Sequence, residues 1–390
     1  MNSGKSVFAQ LMSLIPWYEF SKCVDRYGGD YKVQSFTTRQ QFLVMSLAQL
    51  SRRESLRDIE SCLNAVPEKL YHAGIRQLVK KSTLADANEV RDYRMYADFA
   101  QTLIATARDL YRTENDFKLE LDNIAYALDS TTIDLCLNLF PWARFRKNKG
   151  AVKAHILLDF RGSIPTFVQI TEGLVHDINI LDSLVLEPGA FYVMDRAYID
   201  FERLYRLNKS ASFFVTRGKS NMQFKRLRAS EVDKTTGLRC DQVIRLKGFY
   251  SSLNYPDTLR RIRYYDAENM KTFIFLTNNF NVPALTIAQL FKERWKIELF
   301  FKWIKQHLKI KAFYGNSQNA VYTQIWIALC TYLLLAIAKK RWQIKESLYT
   351  MSQVMEFCIL DKTPINELFS DKNKYYSECE KDNQLNLFNL

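Results

Sequence analysis

The strongest constraint on folding lies between residues 122 and 216. Ile124–Ile133, Ala151–Phe160 and Ile164–Thr171 are rich in apolar and β-branched residues, and each is bounded by polar or turn residues. Stretches of that length and content predict strands rather than helices. Phe191–Met194 is a fourth apolar stretch, ending at Asp195, and a predicted helix over Asp200–Asn208 leads into a further strand over Ser212–Thr216. Three strands followed by strand–helix–strand predict a mixed sheet with helices packed on it, an α/β fold.

The flanking segments read differently. Residues 217–280 carry more strand candidates, Gln242–Leu246, Leu259–Tyr265 and Thr272–Leu276, joined by Gly-, Asp- and Asn-containing turns. After Pro283 a helical pattern runs to about Lys309. Residues 1–115 read as a set of helices: one follows Thr37-Thr38, one is capped by Ser55, and one covers Val90 to Tyr111. The most hydrophobic stretch, Ile325–Ala338, is too short for a hydrocarbon core of ~30 Å and reads as a buried core helix. The expected domains are thus 1–115, helical, where short helices with Arg and Lys between them suit either a DNA-binding module or a bundle with an ordinary charged surface; 122–342, with a β-rich insertion at about 217–280; and 343–390, a helical or peripheral tail.

The charge is uneven. The formal net charge is +13, yet residues 144–153 and 217–228 each hold five basic and no acidic residues, and 291–311 hold seven basic and two acidic. These three islands account for more than the whole excess. A basic surface concentrated in this way points to a polyanion, most simply nucleic acid. The seven cysteines are widely spread with no C-x-x-C pair. That favours reduced thiols in a cytoplasm over a disulfide framework or zinc site. Met1–Pro16, with one Lys and interrupted apolar runs, makes a poor signal peptide.

The 284–309 helix is the most informative for chemistry. Leu290, Ile297, Phe301, Ile304 and Leu308 recur at helical spacing and mark an apolar face. Arg294, Glu298, Lys302, Lys305 and Lys309 form an adjacent face with one carboxylate among four cations. The Glu298–Lys302 pair explains itself as a surface ion pair, but the rest of the row repels itself unless an anion lies along it. A catalytic Mg²⁺ takes oxygen ligands, so Glu298 needs companions. Asp129 and Asp195 each stand at the end of an apolar stretch; Asp134, Asp159 and Asp177 compete with them on composition alone.

Three segments settle that competition by context. Leu128-Asp129-Ser130-Thr131, Val193-Met194-Asp195-Arg196-Ala197-Tyr198 and Arg294–Gln306 follow one another in order, and they resemble the three carboxylate motifs of DDE transposases from bacterial insertion sequences. The third resembles that family's tyrosine–arginine–glutamate–lysine signature, whose positions are here Phe291, Arg294, Glu298 and Lys305. Phe291 departs from the signature and lacks the tyrosine hydroxyl; Ala197 stands where glycine often follows Asp-Arg.

The resemblance implies a ribonuclease-H-like (retroviral-integrase-like) core. Asp129 would lie on the first strand, Asp195 after the fourth and Glu298 on a later helix. It also implies metal-dependent cleavage of DNA at the element's ends and strand transfer into a target, by cut-and-paste. Asp129, Asp195 and Glu298 would hold two Mg²⁺ ions, with Mn²⁺ able to substitute. Arg294, Lys302, Lys305, Phe291, Arg196, Arg146, Lys147, Lys149, Lys153 and Lys309 would border double-stranded DNA, both terminal inverted repeats and target. A homodimer would join two ends, and no membrane is involved.

Two other readings compete. A catalytically inactive descendant would use only the basic surfaces. A paired-carboxylate hydrolase of a neutral glycan would not need the cationic row. Remaining features have ordinary explanations. Gly4-Lys5-Ser6 lacks the upstream glycine of a phosphate loop, the four histidines show no metal-ligand spacing, and Trp295 and Trp303 suit core packing.

Overall fold

A computed structural model describes residues 4–113, 121–147, 149–219, 221–307 and 313–370. The chain forms two compact units. One comprises Met1–Leu103, His307–Gly315 and Thr323–Leu390; the other comprises Ile104–Gln306 and Asn316–Tyr322.

The second unit is built on one ten-stranded sheet. Its strands are β1 (Ala125–Leu135), β2 (Arg144–Arg146), β3 (Lys149–Asp159), β4 (Ile164–Glu172), β5 (Phe191–Met194), β6 (Phe213–Arg217), β7 (Phe224–Ser230), β8 (Leu238–Leu246), β9 (Leu259–Asp266) and β10 (Lys271–Thr277). The order is β2-β3-β1-β5-β6-β10-β9-β8-β7, with β4 also on β3. Strands β1, β3 and β4 pair antiparallel, whereas β5 lies parallel to both β1 and β6. Strand β5 is buried on both faces, as Phe191-Tyr192-Val193-Met194 demands, so its apolar run does not alternate. The core beneath it gathers Tyr126, Leu128, Tyr192, Met194, Leu204 and Phe214.

The expected strands are present, with ends shifted by a few residues. Several elements of this unit were not expected, among them β2, β7 and the helix Phe249–Asn254. Strand β7, Phe-Lys-Arg-Leu-Arg-Ala-Ser, has no apolar stripe; pairing with β8 forms it, not burial. The β-rich insertion is not a separate layer. Strand β10 returns antiparallel to β6 and extends the same sheet. With the short β2 counted, Asp195 follows the fifth strand rather than the fourth.

The first unit is helical. Thr37 and Ser55 cap helices Thr38–Leu50 and Leu56–Asn64 as expected, accepting from the N–H of Gln40 and Asp58. The helix expected over Val90–Tyr111 is Arg94–Leu110. The apolar helix is longer than its most hydrophobic stretch suggested. It spans Gln318–Arg341, 24 residues, which by length and hydropathy is enough to cross a membrane. Its apolar window is, however, entirely buried within the fold.

The expected boundary at residue 342 therefore differs from the compact units, because residues from Thr323 onward pack with the N-terminal helices. Gln49 donates to the Gln324 carbonyl at 2.9 Å, and Thr331 donates to Ser46 at 3.3 Å. The tail segment joins this unit too: the Val7 and Phe8 N–H groups donate to the carbonyls of Asp361 and Ile359.

Candidate active site

Register brings the first two acids together. Leu128 of β1 pairs laterally with Met194 of β5, and Met194 with Thr216 of β6. The next residue along each strand is Asp129, Asp195 and Arg217 respectively. Two carboxylates and a guanidinium thus stand in a row across three parallel strands, at the carboxyl-end side where α/β sheets bind ligands.

The third acid comes from a helix. The single helix expected over 284–309 is interrupted at Arg294, between Ala284–Glu293 and Trp295–His307. There the Arg294 N–H donates to the Phe291 carbonyl and the Ile297 N–H to the Arg294 carbonyl. Both are tightened three-residue bonds of the 3₁₀ kind. Glu298 then falls in the first turn of the second helix, four residues after Arg294.

Arginines, not open space, separate the acids. Arg294 donates through Nη1 to Asp129 Oδ2 at 3.0 Å and through Nη2 to Glu298 Oε1 at 2.5 Å. Its Nε is buried without an acceptor. Arg217 donates through Nε at 2.9 Å and lies 2.7 Å away through Nη2, both toward Asp195 Oδ1. The Arg196 N–H donates to the same oxygen at 2.6 Å. Asp195 Oδ2 accepts no hydrogen bond among the described residues. Thr216 also donates to the Asp195 carbonyl at 3.2 Å, fixing the backbone on which that acid sits. The three acids are thus each held by a guanidinium group in this structure. Among the described residues no three acidic, imidazole or thiol groups already enclose a metal position.

The electrostatics differ between the two strand-end acids. Burial pushes the Asp129 carboxyl up to about 6. The Ser130 N–H and Arg294 act against that rise, while Asp195 and Glu298 add to it by repulsion. For Asp195, burial is again the largest influence and acts upward, but the Arg196 N–H and Arg217 together hold its carboxyl below the usual 3.8.

The expected DNA contacts are dispersed. Lys305 donates to the Thr132 carbonyl of β1 at 2.7 Å, which ties the second helix to the strand that carries Asp129. Lys302 and Arg196 are exposed, as are Arg146, Lys147 and Lys149 around the β2–β3 turn. Lys153 is committed elsewhere, at 3.1 Å from Asp177 and only 12% exposed. Phe291 packs on Phe275 at 4.9 Å, with the Arg294 guanidinium 5.7 Å from its ring. Lys309 lies outside the described residues. Trp303 is buried as expected, but Trp295 is 58% exposed. It borders an open cleft of ≈ 470 Å³ shared with Arg217, Phe275, Phe291, Arg294 and Glu298.

The competing acids have other partners. Asp134 is exposed, and Asp159 pairs with Arg161 at 2.8 Å near the opposite end of β1. Asp177 accepts from Ser130 Oγ at 2.8 Å and so braces the residue next to Asp129. Sequence reasoning missed Arg217 as a site residue; it noted the basic island that begins there, but only the β5–β6 register places it beside Asp195.

Comparison with known proteins shows the family. A family model described as "Transposase DDE domain" matches residues 121–334. The chain belongs to the DDE transposases. A domain of unknown function, DUF4372, matches residues 3–76. A Sinorhizobium fredii protein named as a transposase is 34% identical over 287 residues, covering 72% of this chain and 78% of that one. A Geobacillus stearothermophilus protein, named as a transposase for insertion sequence element IS5377, is 33% identical over 214 residues, covering 53% and 55%. A Synechocystis relative, named for element IS4SA, is 25% identical over 271 residues, 67% of this chain and 72% of its own. The protein is therefore a DNA-cleaving transposase related to those of bacterial insertion sequences.

DDE transposases generally use divalent metal ions, and the donor set of this transposase fits one. Three carboxylates offer the hard oxygen ligands that Mg²⁺ prefers. Burial, with a smaller addition from their mutual repulsion, raises Asp129, and two guanidinium groups leave the five side chains one negative charge in excess when all are ionised.

Proposed function

We propose that this transposase binds the ends of its own insertion sequence and performs cleavage and strand transfer by cut-and-paste, with Asp129, Asp195 and Glu298 as the metal-holding acids. The observation that carries this reading is the lateral row Asp129–Asp195, where the parallel pairing of β1 with β5 stops, closed by Glu298 through Arg294. The order β4-β3-β1-β5-β6, antiparallel then parallel, supports a ribonuclease-H-like core. Two Mg²⁺ ions, or Mn²⁺ in their place, would when bound supply activation of the attacking oxygen and stabilisation of the leaving oxygen at phosphorus.

The chain's own residues do the rest. Arg294 carries a planar guanidinium within reach of two of the acids, so it can exchange a carboxylate for a phosphate oxygen and orient it. Lys305 holds the Glu298 helix against β1 through the Thr132 carbonyl. Lys302, Arg196, Arg146, Lys147 and Lys149 present exposed charge that positions a DNA backbone without reading its sequence. A homodimer pairing two element ends and a cytoplasmic site of action accompany this reading.

Single substitution of Asp129, Asp195 or Glu298 to Ala should abolish cleavage of a duplex carrying the element end in Mg²⁺. Binding of that duplex should be largely retained. A variant that still cuts at the parent rate removes its residue from the metal-holding set. Loss of binding together with cutting would favour a folding role instead.

A further inference from the structure

Outside the carboxylate site, the most unusual surface of this unit is the ribbon of β7 and β8. Strand β7 is the terminal strand of the sheet, and Lys225 through Ser230 are exposed on both faces. An exposed edge of this kind is commonly protected by scattered charges. Protection alone does not explain the pattern, because every exposed charge on the two strands is a cation, while the exposed acids Glu231 and Asp233 are confined to the loop that joins them. Lys225, Arg226 and Arg228 lie on β7, and Arg245 projects from β8 between buried Ile244 and Leu246.

Lys225 is registered directly opposite Arg245. Opposed side chains sit about 5 Å apart at Cβ, and like charges so placed destabilise the pair. None of these four cations has an ion pair with a described acidic residue. The acid on β8, Asp241, is held by Arg260 at 2.7 Å. A single-sign ribbon that repels itself across its own ladder is the complement of a row of phosphates.

We infer that β7 and β8 form a second binding surface, which takes the sugar–phosphate backbone of the element-end duplex being cleaved. The inference rests on the function proposed above and adds to it a named surface. The choice of the element-end duplex follows from continuity. The ribbon belongs to the sheet that carries Asp195, five strand steps away along β5-β6-β10-β9-β8-β7. At about 4.8 Å per step that is roughly 24 Å, which at 3.4 Å per base pair is less than one helical turn of DNA. A duplex lying along this strand order with a phosphate at the carboxylate site would reach the ribbon within one helical turn. Binding of this type carries no base preference; it sets register and strengthens affinity in a salt-dependent way.

The test uses the full chain with Asp129→Ala, so that binding is read without cutting. Into it go Lys225→Gln, Arg226→Gln, Arg228→Gln and Arg245→Gln together; thermal unfolding checks that the fold is kept. Affinity for an element-end duplex is titrated against salt, beside an unrelated duplex of equal length standing for target, and hydroxyl-radical footprints are taken on the former.

The expected result is at least a tenfold loss of end affinity at low salt, with a log–log slope shallower by about 1 for each phosphate that is no longer neutralised. Protection should vanish at backbone positions within about ten base pairs of the cut and persist at the cut itself. An unchanged slope and footprint overturn the inference. So does a loss confined to the unrelated duplex, which would make the ribbon a target surface. A change in assembly state with the per-chain footprint intact also overturns it, by making β7 a strand-pairing edge for a second copy. Cleavage by the Glu298→Ala chain would overturn the proposed chemistry and leave this binding result standing.

Discussion

At the scale of single residues, the site is a balance of three carboxylates against two guanidiniums, and the two strand-end acids respond to pH in opposite senses. Asp129 has a raised folded pKa of about 6, so between 3.8 and about 6 the folded chain binds the proton more tightly than the unfolded chain. The stability it contributes is thus lost as pH rises through that window. Asp195 is held low, so its contribution is present at neutral pH and lost on acidification. Without metal at pH 7.5, Asp129→Asn should raise the melting temperature and Asp195→Asn should lower it; shifts of the same sign would contradict the paired arginine geometry. Divalent-metal affinity, read by calorimetry, should climb with pH up to about 6 and then level, because Asp129 must shed its proton to act as a ligand. Arg217 directs two donors at Asp195 Oδ1 and leaves Oδ2 without one. An outer partner of that kind typically matters 10- to 100-fold, so Arg217→Ala should weaken metal binding or cleavage by about that factor. Arg217→Lys, which keeps charge but loses the fork, should recover only part of it.

At the scale of elements, three parallel strand ends and one broken helix create the site, and the β6–β10 junction keeps the strand ends in step. Asn278, just past β10, extends that junction with its side chain. Its Oδ1 accepts from the Phe214 N–H at 2.9 Å, and its Nδ2 donates to the Ser212 carbonyl at 2.9 Å. The group is buried, so Asn278→Ala leaves the Phe214 N–H of β6 and the Ser212 carbonyl just before it without this partner, at about 1–3 kcal/mol each. Denaturant melts should show a loss of that order, with cleavage falling further than stability because Thr216 and Arg217 lie on the same strand. Equal losses of both would make the junction a scaffold only. Much of this level was legible beforehand. The end of β5 before Asp195 was readable because a buried apolar run stops where a charge begins; at Asp129 the apolar run stops but β1 continues to Leu135, and only its pairing with β5 ends. The helix break at Arg294 was not, since neither Gly nor Pro marks it and the apolar spacing continues through it. Strand β7 was invisible for the opposite reason: it has no apolar pattern, and its partner β8 lies across a turn.

At the scale of the molecule, the helical unit is assembled from both halves of the chain. Gln10 donates to the Thr363 carbonyl at 2.8 Å and accepts from the Ile365 N–H at 3.0 Å. Met351, Met355 and Ile365 are buried with no more than 2% exposure, so the C-terminal helices are core rather than appendage. A chain truncated after Lys345 should lose the cooperative unfolding of this unit and expose apolar surface to a hydrophobic dye. If the shorter chain melts like the full one, the terminal pairings are not structural.

The amino-acid sequence by itself determined the chemistry available to this transposase. The acids, their order and the residues around them follow from local composition, and so do the strands that end in Asp and the helices with their caps. These are short-range properties, written in neighbouring residues. Tertiary structure decided which charges meet. Arg217 faces Asp195 because of β5–β6 register, Arg294 bridges Asp129 and Glu298 because the helix breaks there, and Lys153 turns away from the surface toward Asp177. Those outcomes depend on strand pairing across tens of residues and on the cost of leaving a buried charge alone, and neither is written in a local stretch of chain.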